Sequence, residues 1–149
     1  MNKRYRFLIV EDQELAAEVI RYAIKSNFSR AEITTLRTEK EFRDDFENIA
    51  RKPPTVIILD VMLRWTVATK SMQKPPDDVR KGGYYRAGLR CHKILRSDDR
   101  TKRTPVVLYS IIGSLGCELQ QLPETTIHVQ KDQQSPSNAL IAAIQHLLS

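Results

Sequence analysis

Residues 55–63 read Thr55-Val56-Ile57-Ile58-Leu59-Asp60-Val61-Met62-Leu63. Four consecutive apolar residues, Val56 to Leu59, fit a strand buried on both faces, the pattern of a central strand in a covered parallel sheet. They carry one carboxylate, Asp60, to the C-terminal end of that strand, where open α/β sheets place their ligands. Two other segments are suited to meet it there. One is Phe7-Leu8-Ile9-Val10-Glu11-Asp12, ending in an acidic pair, and the other is Ile127-His128-Val129-Gln130-Lys131, ending in a lysine. Three carboxylates and one ammonium would then share a single rim.

Outward from this strand the elements alternate regularly. A strand is expected over 5–10, followed by a helix over 14–25 with Leu15, Val19, Ile20, Ala23 and Ile24 at helical spacing. A short strand over 32–36 comes next. Thr38-Glu39-Lys40-Glu41 is a capping box that opens a second helix, with Phe42, Phe46 and Ile49 along one face and Lys52-Pro53-Pro54 as its stop. After the central strand and a long irregular stretch, a helix is expected over 89–95, a strand over 105–110, a weakly patterned helix over 114–121 and a last strand over 126–130. Ser135-Pro136 is an N-cap followed by proline at the first helical position. Leu140, Ala143, Ile144, Leu147 and Leu148 line the final helix. Five strands alternating with five helices imply a doubly wound α/β fold, a parallel sheet with helices on both faces and right-handed crossovers.

One segment exceeds this template. A loop, a helix and a second loop need about 15–25 residues between strands, and residues 63–104 supply far more. The excess, with Lys74-Pro75-Pro76 and Gly82-Gly83 inside it, reads as an insertion over about 64–86, just past Asp60. Charge is concentrated in the same region. Of the chain's net +6, residues 64–104 contribute +8, from twelve Lys/Arg against four Asp, and the remainder is acidic. Such a segment is either a solvated insertion kept soluble by its charges or a docking surface for an acidic protein or nucleic acid. Trp65, Tyr84 and Tyr85 within it favour a protein interface. Nucleic acid is the less favoured partner, because no helix-turn-helix signal or regular aromatic spacing occurs.

The length suits one domain over residues 1–149 with a full core. No run approaches the roughly eighteen apolar residues of a membrane span, and Met1-Asn2-Lys3-Arg4 passes into a strand with no apolar leader, so the expected location is the cytoplasm. Cys91 and Cys117 have neither redox-pair nor zinc spacing and read as free thiols. No G-x-x-x-x-G-K-[S/T] occurs, which leaves nucleotide hydrolysis unsupported. Taken singly, each candidate has a plainer use. Glu11 and Asp12 would favour a helix N-terminus, Lys131 would pair with Asp132, and Ser110 would satisfy a turn.

Together, Glu11-Asp12, Asp60 within Leu59-Asp60-Val61-Met62-Leu63, Ser110 at the end of Val106-Val107-Leu108-Tyr109-Ser110, and Lys131 resemble the receiver domain of bacterial two-component response regulators. The resemblance spans essentially the whole chain apart from the insertion. It implies a flavodoxin-like five-stranded sheet of order 2-1-3-4-5. It also implies Mg²⁺ held by Glu11, Asp12, Asp60 and the backbone carbonyl of Met62, and Asp60 as acceptor of a phosphoryl group from a histidine kinase or phosphotransfer protein. Lys131 and the Ser110 hydroxyl would steady the phosphoryl oxygens, and the domain would also hydrolyse its own acyl phosphate. The downstream partner would be a protein reading the surface of the fourth helix, fifth strand and fifth helix. Ser110 and His128, the latter standing where the family carries an inward-swinging aromatic, are the switch candidates.

Departures from the family pattern are local. Arg64 and Asp132 replace prolines after Asp60 and Lys131, and Ile111 replaces a small residue beside the site. Two functions follow. The first is a stand-alone phosphoacceptor receiver; the second is a degenerate receiver that binds a protein through its basic insertion without phosphorylation. An aspartyl phosphatase would want a second carboxylate where Met62 stands.

Overall fold

The computed structural model describes residues 4–66, 74–111, 122–131 and 136–149. The helix expected over 114–121, Cys117 and Asp132 lie outside these residues. Five parallel strands form one sheet in the order β2-β1-β3-β4-β5: β1 (Arg6–Val10), β2 (Glu32–Leu36), β3 (Val56–Leu59), β4 (Val106–Ser110) and β5 (Thr126–Gln130). This is the order implied by the resemblance to receiver domains. The register pairs Val10 with Leu59 and Leu59 with Leu108, so β1, β3 and β4 end nearly level. Asp60 N–H donates to the Val10 carbonyl at 2.9 Å, which extends the ladder one residue beyond β3 and seats Asp60 beside Glu11.

β3 is buried on both faces because each face meets its own core. Val56 and Ile58 join Phe7, Ile9, Ile20 and Ile24 on the side of helices α1 (Glu14–Asn27) and α5 (Pro136–Leu148). Ile57 and Leu59 join Leu8, Val10, Phe42 and Leu95 on the side of α2 (Glu39–Arg51) and α4 (Ala87–Ser97). A four-residue apolar run is what a strand between two such layers requires. The Thr38 hydroxyl accepts the Glu41 N–H at 3.0 Å and the Glu41 carboxylate accepts the Arg37 N–H at 2.6 Å, so the capping box closes the start of α2.

α1 departs from the expected stripe. Its buried residues are Ala17, Ile20, Ala23 and Ile24, whereas Leu15 is 83% and Val19 46% exposed, with Tyr22 beside them at 77%. Ala17 lets the helix lie close to the sheet, and the larger apolar residues are turned outward.

The irregular stretch after β3 contains more regular structure than the sequence indicates. A short helix α3 (Asp77–Gly82) and a 3-10 turn (Tyr84–Arg86) precede α4, which starts two residues earlier than expected. The segment is fastened to α2 by backbone and by charge. Arg64 and Trp65 carbonyls accept the Glu39 and Lys40 N–H groups, each at 2.9 Å, and thereby satisfy free donors at the start of α2. Glu39, with its side chain fully buried, accepts Nε and one terminal N–H of Arg90 at 2.9 and 2.7 Å and Arg43 at 2.9 Å. Arg43 also reaches Asp78 at 2.7 Å and lies 5.6 Å from the Trp65 ring centroid. Arg96 of α4 donates to the carbonyls of Lys102 and Thr104 and to the Thr126 hydroxyl. Part of the positive charge counted in residues 64–104 is thus internal and structural. Cys91 is buried in the same layer, which pushes its thiol up, away from reactivity.

Candidate functional site

The ends of β1, β3, β4 and β5 converge on one rim. Glu11 is held there by its N–H to the Leu36 carbonyl at 3.0 Å, and its Oε1 accepts the Gln13 N–H at 3.1 Å. The Oδ1 of Asp60 accepts the Met62 N–H at 3.2 Å. Lys131 N–H donates to the Ser110 carbonyl at 2.8 Å, which carries the β4–β5 ladder one residue further and turns the lysine back over the sheet. Its Nζ bridges Glu11 Oε2 at 2.6 Å and Asp60 Oδ2 at 3.2 Å, and it lies 5.5 Å from the Tyr109 ring centroid. Residues distant in the chain are therefore joined by one ammonium.

Glu11, Asp12 and Asp60 each offer a carboxylate oxygen within 4.8 Å of the others. That spacing fits a hard divalent cation, which takes oxygen ligands and relieves their mutual repulsion. The electrostatics express the crowding. Burial pushes the Glu11 carboxyl up to about 8, with the Asp60 charge adding to the rise and Lys131 opposing it. Burial would lower Lys131, but Asp60 and Glu11 outweigh it and hold the ammonium above the ordinary lysine range.

Above these groups opens a cavity of about 370 Å³, lined by Asp12, Gln13, Asp60, Met62, Arg64, Tyr84, Ile111 and Lys131. Of the residues marked out in the sequence, the structure brings together Glu11, Asp12, Asp60, Met62 and Lys131. Ser110 ends β4 fully buried, and its neighbour Ile111, 64% exposed, forms the cavity wall on that side. His128 is partly buried in β5, in register with Leu108. Arg64 lies at the rim, its N–H and Nε directed at Asp12 Oδ2 at 3.3 and 3.6 Å.

The sequence marks neither Tyr84, read there as an interface aromatic, nor Gly88 as part of this site. Tyr84 comes from the 3-10 turn, anchored by the Leu63 N–H to its carbonyl at 3.2 Å, and lines the cavity together with Ile111. Gly88, in the first turn of α4, donates its N–H to the Val61 carbonyl at 2.8 Å. A Cβ at Gly88 would stand 2.1 Å from the Asp60 carbonyl oxygen and 2.5 Å from Val61 Cα. Only a residue without a side chain permits α4 to brace the backbone of Asp60. The isolated glycine in Arg86-Ala87-Gly88-Leu89 was the available signal, since glycine inside a helix usually has a packing reason.

No protein-family model and no curated protein matches the sequence. Solved structures do match over nearly the full chain. A signal receiver domain of a two-component histidine kinase from Clostridium thermocellum superposes with a TM-score of 0.70 at 18% identity, covering 97% of this chain and 98% of that one. Chemotaxis response regulator CheY4 of Vibrio cholerae gives 0.67 at 16% identity, with 97% and 99% covered. Response regulator Rcp1, in a Mn²⁺-bound form, gives 0.61 at 17% identity, with 96% and 88% covered. In fold, a five-stranded parallel sheet of order 2-1-3-4-5 with helices on both faces, the chain is similar to these receiver domains.

Proposed function

We propose that the chain accepts a phosphoryl group from a phosphohistidine donor onto Asp60 and signals through protein contacts. The observation that carries this reading is the Lys131 ammonium bridging Glu11 and Asp60 at the floor of an open cavity. One Asp60 carboxylate oxygen attacks phosphorus as the phosphorus–nitrogen bond of the donor breaks. The bonding pair leaves on the imidazole and an acyl phosphate forms on Asp60. Lys131 is placed to follow the negative charge from the carboxylate to the transferred oxygens, and the Ser110 hydroxyl is assigned a further oxygen. Glu11, Asp12, Asp60 and the Met62 carbonyl would hold Mg²⁺, which supplies charge neutralisation at the phosphoryl group. Water attack on the acyl phosphate then ends the signal, and Ile111 and Tyr84 restrict its approach. Ser110 and His128 are the residues through which the modified state would reach a downstream protein. The donor would be a histidine kinase or phosphotransfer protein; among the described residues no helix is long and apolar enough to cross a membrane.

The test is incubation with Mg²⁺ and either a small phosphate donor or beryllofluoride, followed by intact-mass measurement or detection of a bound analogue, and then by trial of histidine kinases. The expected result is one added phosphoryl group, absent in Asp60→Asn and absent under chelation. Metal binding without modification by any donor would instead favour a phosphorylation-independent scaffold. The exposed wall residue Ile111 and the Arg64–Asp12 contact are the features that would suit such a scaffold.

A further inference from the structure

The Arg64 side chain stands over the most accessible of the three clustered carboxylates. Asp12 receives both the Arg64 N–H at 3.3 Å and the Arg64 Nε at 3.6 Å on the same oxygen, Oδ2. The backbone at this point is not free to move, because the Arg64 and Trp65 carbonyls are bonded to the start of α2 and the Trp65 ring packs beneath Arg43. The Arg64 side chain is 64% exposed. It can therefore leave Asp12 by side-chain rotation alone, without disturbing the loop that carries Asp60. The charge balance is equally particular. Lys131 is committed to Glu11 and Asp60, whereas among the described residues the salt bridge to Asp12, the third carboxylate, comes from Arg64, and Arg37 donates to the Asp12 backbone carbonyl at 3.4 Å.

We infer that Arg64 is a displaceable counter-ion of this carboxylate cluster, occupying Asp12 when no divalent cation is bound and being driven off it when one binds. A guanidinium a few ångströms from a doubly charged ion is repelled by it, and the contact with Asp12 is too exposed to resist. Arg64 is thus a positioning residue that sets metal affinity without entering the coordination shell. It makes the site empty readily and fill only at higher cation concentration. The inference rests on the reading of Glu11, Asp12 and Asp60 as metal ligands, and the experiment separates the two.

Full-length wild type, Arg64→Gln and Arg64→Lys are titrated with Mn²⁺, free ion being counted by electron paramagnetic resonance, and Mg²⁺ is then added as competitor. Arg64→Gln, which keeps the length and removes the charge, is expected to bind roughly three to ten times tighter than wild type. Arg64→Lys should return the wild-type affinity, and the gap between Gln and wild type should narrow at high ionic strength. Unchanged thermal stability of Arg64→Gln would show that the fold is not the cause. Equal affinities in all three proteins, or weaker binding by Arg64→Gln, would overturn the inference and leave the metal site standing. Failure of wild type and Arg64→Gln alike to bind either ion would overturn both readings.

Discussion

Replacing Glu39 by Gln tests whether the segment after β3 is held by a buried ion network. Glu39 has no exposed side-chain surface and accepts three charge-assisted hydrogen bonds, two from Arg90 and one from Arg43. The amide keeps the shape and removes the charge. Arg43 retains Asp78 at 2.7 Å and the Trp65 ring, so most of the loss falls on Arg90, whose side chain is only 13% exposed and whose two bonds to Glu39 are at 2.9 and 2.7 Å. Breaking a buried pair from one side costs about 3–5 kcal/mol, and the partial compensation of Arg43 places this variant near the lower limit. With a urea m-value of about 2 kcal/mol per molar, a loss of about 3 kcal/mol lowers the unfolding midpoint by about 1.5 M. The assay is equilibrium urea unfolding followed by far-ultraviolet circular dichroism. A double variant, Glu39→Met with Arg90→Met, should be more stable than Glu39→Met alone, because it removes the stranded guanidinium. A loss under about 1 kcal/mol for Glu39→Gln, or no recovery in the double variant, would refute the claim that this pair is interior and coupled.

Two further outcomes are expected. Gly88→Ala drives a methyl into the Asp60 carbonyl oxygen and Val61 Cα, both backbone atoms, and should cost about 3 kcal/mol or more in stability. Phosphorylation of any folded fraction should also be reduced, whereas wild-type stability and activity would show that α4 can withdraw freely. His92, half-buried and beside Arg96, has its pKa lowered by desolvation to about 4 from 6.5 and bonds Thr126 Oγ1 at 2.9 Å. Below pH 6.5 the unfolded chain takes up a proton that the folded chain refuses until about pH 4, so stability falls as pH drops through that window. With an allowance for partial solvation, about 1–2 kcal/mol of the acid-induced loss should disappear in His92→Gln. Parallel stability curves for the two proteins between pH 7 and 4.5 would contradict this.

The strands and the placing of Glu11, Asp12, Asp60 and Lys131 at their C-terminal ends were legible in the sequence, while the strand order came from the resemblance to receiver domains. The first two rest on short-range pattern: an apolar run at Val56–Leu59 has to be covered on both faces, and a charged residue directly after such a strand has to emerge at its end. The capping box of α2 is local in the same sense, since its partners are at most four residues apart. Tertiary structure decided the rest. Spacing alone cannot tell that α1 approaches the sheet over Ala17 and leaves Leu15 and Tyr22 in solvent, because helical periodicity defines a stripe but not its centre. Nor can charge counts show that Arg90 is largely covered against Glu39 while Arg64 stays exposed beside Asp12, since both are arginines in one basic segment. Their environments are set by which elements fold back upon them, across 51 positions from Arg90 to Glu39 and 52 from Arg64 to Asp12. Desolvation and close backbone approach, as at Gly88 against Asp60, come into existence only when those elements pack.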